Sequence, residues 1–218
     1  MKYFSTLALA TIGLAVLAGD AKEVVHHFDK KDEGKVASGW KEDQTGKGMG
    51  SVWKVVPDAT GPGKTGFVLA QTAEGPNNLF NLCVLQESKY ADLQLKVQFK
   101  AIKGKNDQGG GLVWRYQNAD NYYVTRYNPL ESNFRVYKVT DGVRKQLQDK
   151  SDLTLKAGEW HSIAVHHVGK KIECRLDGEK CLEVEDDAIT KPGQVGLWTK
   201  ADAQTAFDSL SVAGMDKQ

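Results

Sequence analysis

What this sequence has little of narrows it quickly. It has no charge excess: Lys plus Arg number 29, Asp plus Glu 28, and the formal net charge is +1. Neither a nucleic acid nor an anionic membrane surface is therefore an expected partner. Histidine is scarce. His26, His27, His161, His166 and His167 show no zinc-site spacing. If His161 and His167 share a strand, they stand ~20 Å apart. No Gly-x-Ser-x-Gly elbow occurs. Gly61-Pro62-Gly63-Lys64-Thr65 has the tail of a phosphate loop, but Asp58 stands where its first glycine belongs. Phe67–Ala70, which follows, reads as a strand where a helix is needed, so nucleotide binding is set aside. There is no convincing helical run, linker, internal repeat or low-complexity tract. Beyond the N-terminus no stretch is apolar enough to span a membrane.

The N-terminus has what the rest lacks. Met1-Lys2 is a short basic start, and Leu7–Ala18 is a run of small and apolar residues followed by cleavage options after Ala18 or Ala21. This pattern predicts a secretory signal peptide over residues 1–21, too short and wrongly flanked for a membrane span. The sequence LAGD has no cysteine to carry a lipid. The expectation is a soluble secreted or periplasmic protein with one mature domain over residues 22–218, and a monomer.

Export permits disulfides, but the three cysteines Cys83, Cys174 and Cys181 are odd in number. Cys174 and Cys181 flank the turn Asp177-Gly178, and a plain two-residue turn would set them opposite each other. The apolar pattern instead puts Ile172, Cys174 and Leu176 on one face with Leu182 and Val184, which requires a bulge, for instance at Gly178, and turns Cys181 outward. Both arrangements remain open at this level. Cys83 alternates with Leu79 and Leu85 and reads as a buried thiol.

About a dozen short segments alternate with period 2. The clearest is Ala91–Lys100, with Leu93, Leu95, Val97 and Phe99 on one side and Asp92, Gln94, Lys96 and Gln98 on the other. Glu42–Gly50 is rich in Gly and Lys and reads as a loop. Many short strands at regular spacing predict an all-β sandwich. The most informative run is Gly109–Asn128, two strands about a polar turn. Leu112, Trp114 and Tyr116 oppose Gly111, Val113 and Arg115; Tyr122, Val124 and Arg126 oppose Tyr123, Thr125 and Tyr127. Arginine forks and flat aromatic faces suit a hydroxyl-rich, planar ligand. An outer face chosen only for strand propensity and cross-strand pairing fits the same letters.

Pro192–Val212 is the second such run. Val195, Leu197 and Thr199 alternate with Gly196, Trp198 and Lys200, and Asp202 follows in a turn. An indole beside a hydrogen-bonding cation is a way to hold a sugar; a structural Trp on the rim is the alternative. Glycoside hydrolysis needs two carboxylates about 5–10 Å apart. Glu183-x-Glu185 has strand spacing but reads as a solvated edge. Asp120, Glu131 and Asp202 lie in or near turns and would have to converge in space.

Taken in order, GGGLVWRY, NYYVTRYNPLESNFRVYKV, DGVRKQL, AGEWHSIAV, RLDGEK and PGQVGLWTKAD with AFDSL resemble the exported 3-keto-disaccharide hydrolase, or family-16-glycoside-hydrolase-like, domains. The resemblance covers nearly the whole mature chain. It implies a concanavalin A-like jelly roll of two antiparallel sheets, a carbohydrate ligand on the concave one, and cleavage of ordinary or oxidised glycosides. Arg115, Arg126, Tyr123, Asn128, Arg135, Trp198 and Lys200 would bind substrate, with Asp202 or Glu131 as acid/base. The Glu-x-Asp-x-x-Glu run of true family-16 glucanases is absent, and Gln94 and Gln98 stand where the 3-keto relatives tend to be acidic. A non-catalytic carbohydrate-binding sandwich is therefore the alternative. No cofactor is expected. A stabilising calcium ion is compatible with such sandwiches, though no contiguous oxygen-ligand loop is visible.

Overall fold

The computed structural model describes residues 22–215, so the expected signal peptide lies outside the described residues. The strands are β1 (Val24–His26), β2 (Trp40–Thr45), β3 (Trp53–Pro57), β4 (Phe67–Gln71), β5 (Phe80–Leu85), β6 (Leu93–Lys103), β7 (Gly110–Asn118) and β8 (Asn121–Asn128). They continue with β9 (Asn133–Thr140), β10 (Val143–Lys150), β11 (His161–Val168), β12 (Lys171–Leu176), β13 (Glu179–Glu185), β14 (Gln194–Lys200) and β15 (Gln204–Gly214). One sheet runs β13-β12-β11-β6-β15-β4-β3, with β1 also on β15; the other runs β10-β9-β8-β7-β14-β5-β2. This is the all-β sandwich the alternation predicts, with the two antiparallel sheets of the jelly roll that the resemblance implies.

The core lies where the period-2 pattern puts it. Leu93, Leu95, Val97 and Phe99 of β6 are at most 1% exposed and face Leu112, Trp114 and Leu197 of the second sheet. Alternate residues of one strand share a face, so one run of letters commits a whole strand to the core. The hairpin β12–β13 turns at Asp177 and Gly178, both at positive φ (47° and 84°), as a two-residue turn with both central residues left-handed requires. Its register slips between Cys174 and Arg175, pairing Cys174 with Leu182. The bulge thus falls at Cys181 rather than Gly178. Cys174 is buried, Cys181 is half-buried, and all three thiols are free.

Residues 40–45, partly expected as loop, form β2 at the edge of the second sheet. That strand reveals the sheet's curvature. The Tyr122 hydroxyl on β8 lies 2.8 Å from Thr45 Oγ1 on β2, although three strands intervene in the sheet order. Flat strands that far apart in order would be ~19 Å apart, more than the two side chains together can span. The Tyr116 hydroxyl on β7 likewise donates to Asp43 on β2 at 2.6 Å. The second sheet therefore curls, and its outer face is concave. The middle of that face is filled by its own apolar cluster, including Phe80, Leu82, Val113, Tyr122, Tyr137 and Trp198.

Candidate functional site

The polar part of the concave face lies at one end of β8 and β9. Arg126 on β8 pairs across the ladder with Arg135 on β9 and with Gly111 on β7. Gly111 has no room for a side chain, since a Cβ would stand 1.7 Å from Thr125 O. Arg126, 3% exposed, donates through Nη2 to Glu131 Oε2 at 2.8 Å and to the Tyr137 oxygen at 3.1 Å. Its Nη1 contacts the Asn133 side-chain oxygen. Glu131 Oε2 also accepts from Arg135 Nη1 at 3.2 Å and Asn133 Nδ2 at 3.1 Å. Arg135 in turn donates to Asp149.

Beside this group stands Asp107, a residue with no sequence signal because it belongs to a loop with no periodicity. It is 4% exposed. One oxygen accepts from Asn128 Nδ2 at 3.0 Å and the other from Lys200 Nζ at 2.9 Å. Burial pushes its carboxyl above the usual range, against the opposing pull of Lys200 and Arg126. Glu131 goes the other way. Burial would raise it, but the Arg126 guanidinium, Asn133 and Arg135 outweigh that and hold it below the usual range. Two carboxylates around one guanidinium are thus pushed apart in acidity, the pattern by which acid and base roles separate in one site.

Asp202 takes a different place from the one its sequence position suggested. Its carboxylate accepts the backbone N–H groups of Lys105, Asn106 and Asp107 at 2.7–3.1 Å. Burial would raise its pKa, but these donors more than offset that and hold the carboxyl below its usual range. Asp202 holds the loop that presents Asp107, and its own oxygens are committed to that loop.

The structure gathers Arg126, Asn128, Glu131, Arg135 and Lys200, and separates three other expected residues from them. Arg115 sits at a bulge with φ 46°. The bulge reverses the alternation, sending Tyr116 to the concave face and Arg115 into the loops at the sheet's end. There Arg115 donates to the carbonyls of Ala91, Ile189 and Gly169 and to Asp92 at 2.8–3.1 Å. Tyr123 points between the sheets, stacked on Trp114 with ring centroids 5.7 Å apart, and its hydroxyl donates to Asp186. Trp198 does lie on the concave face, but it is 1% exposed and packs against Phe80 at 5.5 Å. It is a floor beneath the site and offers no open stacking surface. In its place the structure brings in Arg144 of β10, stacked over Tyr137, Phe80 and Trp198 at 4.5, 4.8 and 5.8 Å.

The first sheet's outer face carries a groove of about 600 Å³ past Gln94, Lys96, His166, Glu173 and Arg175. Its Glu173 is already paired with Arg175 at 2.7 Å. Among the described residues no group of three or more His, Cys, Asp or Glu side chains is placed to hold a metal ion. No helix among them is long and apolar enough to cross a membrane.

Curved antiparallel sheets in this order make the protein a jelly-roll sandwich. Its fold is similar to that of the carbohydrate-binding module CBM66 from Bacillus subtilis (TM-score 0.65, 14% identity, covering 84% of this chain and 98% of that one). It is also similar to a protein of unknown function with a galectin-like fold from Bacillus subtilis (0.58, 10%, 82% and 90%). A third similar structure is a glycosidic hydrolase (0.55, 12%, 90% and 97%). The chain belongs to the 3-keto-alpha-glucoside-1,2-lyase-like domain family, whose model matches residues 25–213. No curated protein sequence matches it.

Proposed function

We propose that the chain binds a glycoside at the polar end of its concave sheet and cleaves it by acid/base chemistry, the substrate class being the 3-keto-glycosides. The observation that carries this is the opposite displacement of Asp107 and Glu131 about Arg126. A carbonyl at C3 makes the C2 hydrogen acidic. Glu131, held ionised, takes that proton, and the electron pair moves into the C2–C3 bond as the carbonyl oxygen becomes an enolate. The enolate returns its electrons to form C1=C2 as the C1–O1 bond breaks. Asp107, whose pKa burial raises, gives its proton to the departing oxygen when it enters the cycle protonated. The products are an unsaturated 3-keto sugar and a free alcohol. Arg126 and Lys200 lie close enough to these groups to offset the developing negative charge.

The test is release of aglycone from an aryl 3-keto-glucoside, with enone absorbance followed in parallel. Glu131→Gln and Asp107→Asn should each slow turnover by about 10²–10⁴-fold. The rate should fall as pH drops through the lowered Glu131 pKa and again as pH rises through the raised Asp107 pKa. Binding without turnover would favour the second reading, a non-catalytic sugar-binding module, whose support is the likeness to CBM66. Under either reading the protein works outside the cytoplasm after loss of residues 1–21, which N-terminal sequencing of exported material would check.

A further inference from the structure

Among the described residues, one cation of the concave face, Arg144, has no ion-pair partner. Arg126 is paired with Glu131, Arg135 with Asp149, and Lys200 with Asp107. Arg144 shares in none of these pairs, and its Nη1 is buried with no hydrogen-bond acceptor. What surrounds it is aromatic: Tyr137 and Phe80, with Trp198 beneath. Ring faces steady a cation, but they supply no oxygen for its in-plane N–H groups. Arg126 Nε, on a side chain 3% exposed, is also buried without an acceptor. The site therefore presents surplus donors and surplus positive charge. Its four cations face three carboxylates, and burial drives one of the three, Asp107, toward its neutral form.

Such a box is costly when empty. A buried charge without a partner destabilises a fold, and a fork of N–H groups is matched best by a planar, acceptor-only oxyanion. A neutral hydroxyl brings a donor along with its acceptor, and no acceptor on Arg144 awaits it. We infer that Arg144 is the docking point for a carboxylate on the ligand, so that the glycoside bound here is an acidic sugar. This rests on the glycoside reading of the same site and adds the ligand's charge to it.

Two probes that differ only at C6 test it: methyl β-D-glucuronide, which carries a carboxylate, and methyl β-D-glucoside, which does not. The corresponding galactose pair guards against the wrong epimer. Calorimetry should show at least one acidic probe binding tenfold or more tighter than its neutral partner, with the advantage shrinking as salt rises. Arg144→Met should cut the preference below twofold while leaving the ligand-free melting temperature unchanged or higher. Equal affinity for acidic and neutral probes, or binding of neither, overturns the inference. So does a preference that survives Arg144→Met. Turnover of the aryl 3-keto-glucoside without any acidic preference leaves the catalytic proposal standing and removes this one. Acidic preference without turnover does the reverse.

Discussion

Arg115 and Arg144 both belong to the second sheet, the first buried and the second half-buried, yet they are opposites. Arg115 has an oxygen for each of its nitrogens: Ala91 O for Nε, Ile189 O for Nη1, and Asp92 with Gly169 O for Nη2. Arg144 has ring faces and an unmet Nη1. A buried polar group that the fold satisfies is part of the fold, and its removal strands its partners. A buried polar group that the fold leaves unsatisfied lowers stability. The same contrast separates Asp202, committed to three backbone donors, from Asp107, whose acidity burial has shifted.

The largest effect should come at Arg115. Arg115→Met strands three carbonyls and leaves Asp92 unpaired, and should cost about 3–5 kcal/mol in urea unfolding. A loss as small as that of Arg144→Met would break the comparison. Next comes acid sensitivity through His167, which packs behind Arg115. Trp114 Nε1 donates to His167 Nδ1 at 2.8 Å, so that nitrogen must be unprotonated, and burial together with Arg115 pulls the ring's pKa down to about 3. The unfolded chain thus binds the extra proton first. Stability is complete above the ordinary histidine value of about 6.5 and falls as pH drops toward 3, by about 1.4 kcal/mol per pH unit. His167→Asn should remove that part of the slope in pH-dependent unfolding.

Asp202→Ala should cost less, about 1–3 kcal/mol, by leaving loop N–H groups unmet, and it should slow turnover by displacing Asp107. A variant that unfolds normally but is inactive would instead make Asp202 a direct participant. The smallest loss belongs to Arg144→Met, which without ligand should unfold at the same or a higher urea concentration than wild type.

Much of the fold was legible because period-2 alternation is local. Leu93, Leu95, Val97 and Phe99 announce the core face of β6, and the apolar pattern of Ile172 and Cys174 offers, beside the plain-turn alternative, the β12–β13 register the structure shows. The strand β2 was hidden because Lys41, Glu42 and Asp43 put charge on both faces of a short edge segment. Strict alternation misplaces Arg115 because the residue sits at a bulge, and one inserted residue reverses every later side chain. Trp198 was placed on the right face, but its burial depends on Phe80 from β5 and Arg144 from β10 meeting above it.

The sequence by itself determined the sandwich, its core and the grouping of Arg126, Asn128, Glu131 and Arg135 on one short stretch, because neighbours along a strand and across a hairpin are set by the backbone repeat. Only the tertiary structure decided which groups meet at the polar end of the concave sheet. Curling the second sheet brought Lys200 and the 105–107 loop to Arg126, buried Asp107, closed rings over Arg144 and withdrew Arg115. Those outcomes depend on water being excluded and on charges meeting across the fold, and no local pattern of residues encodes them.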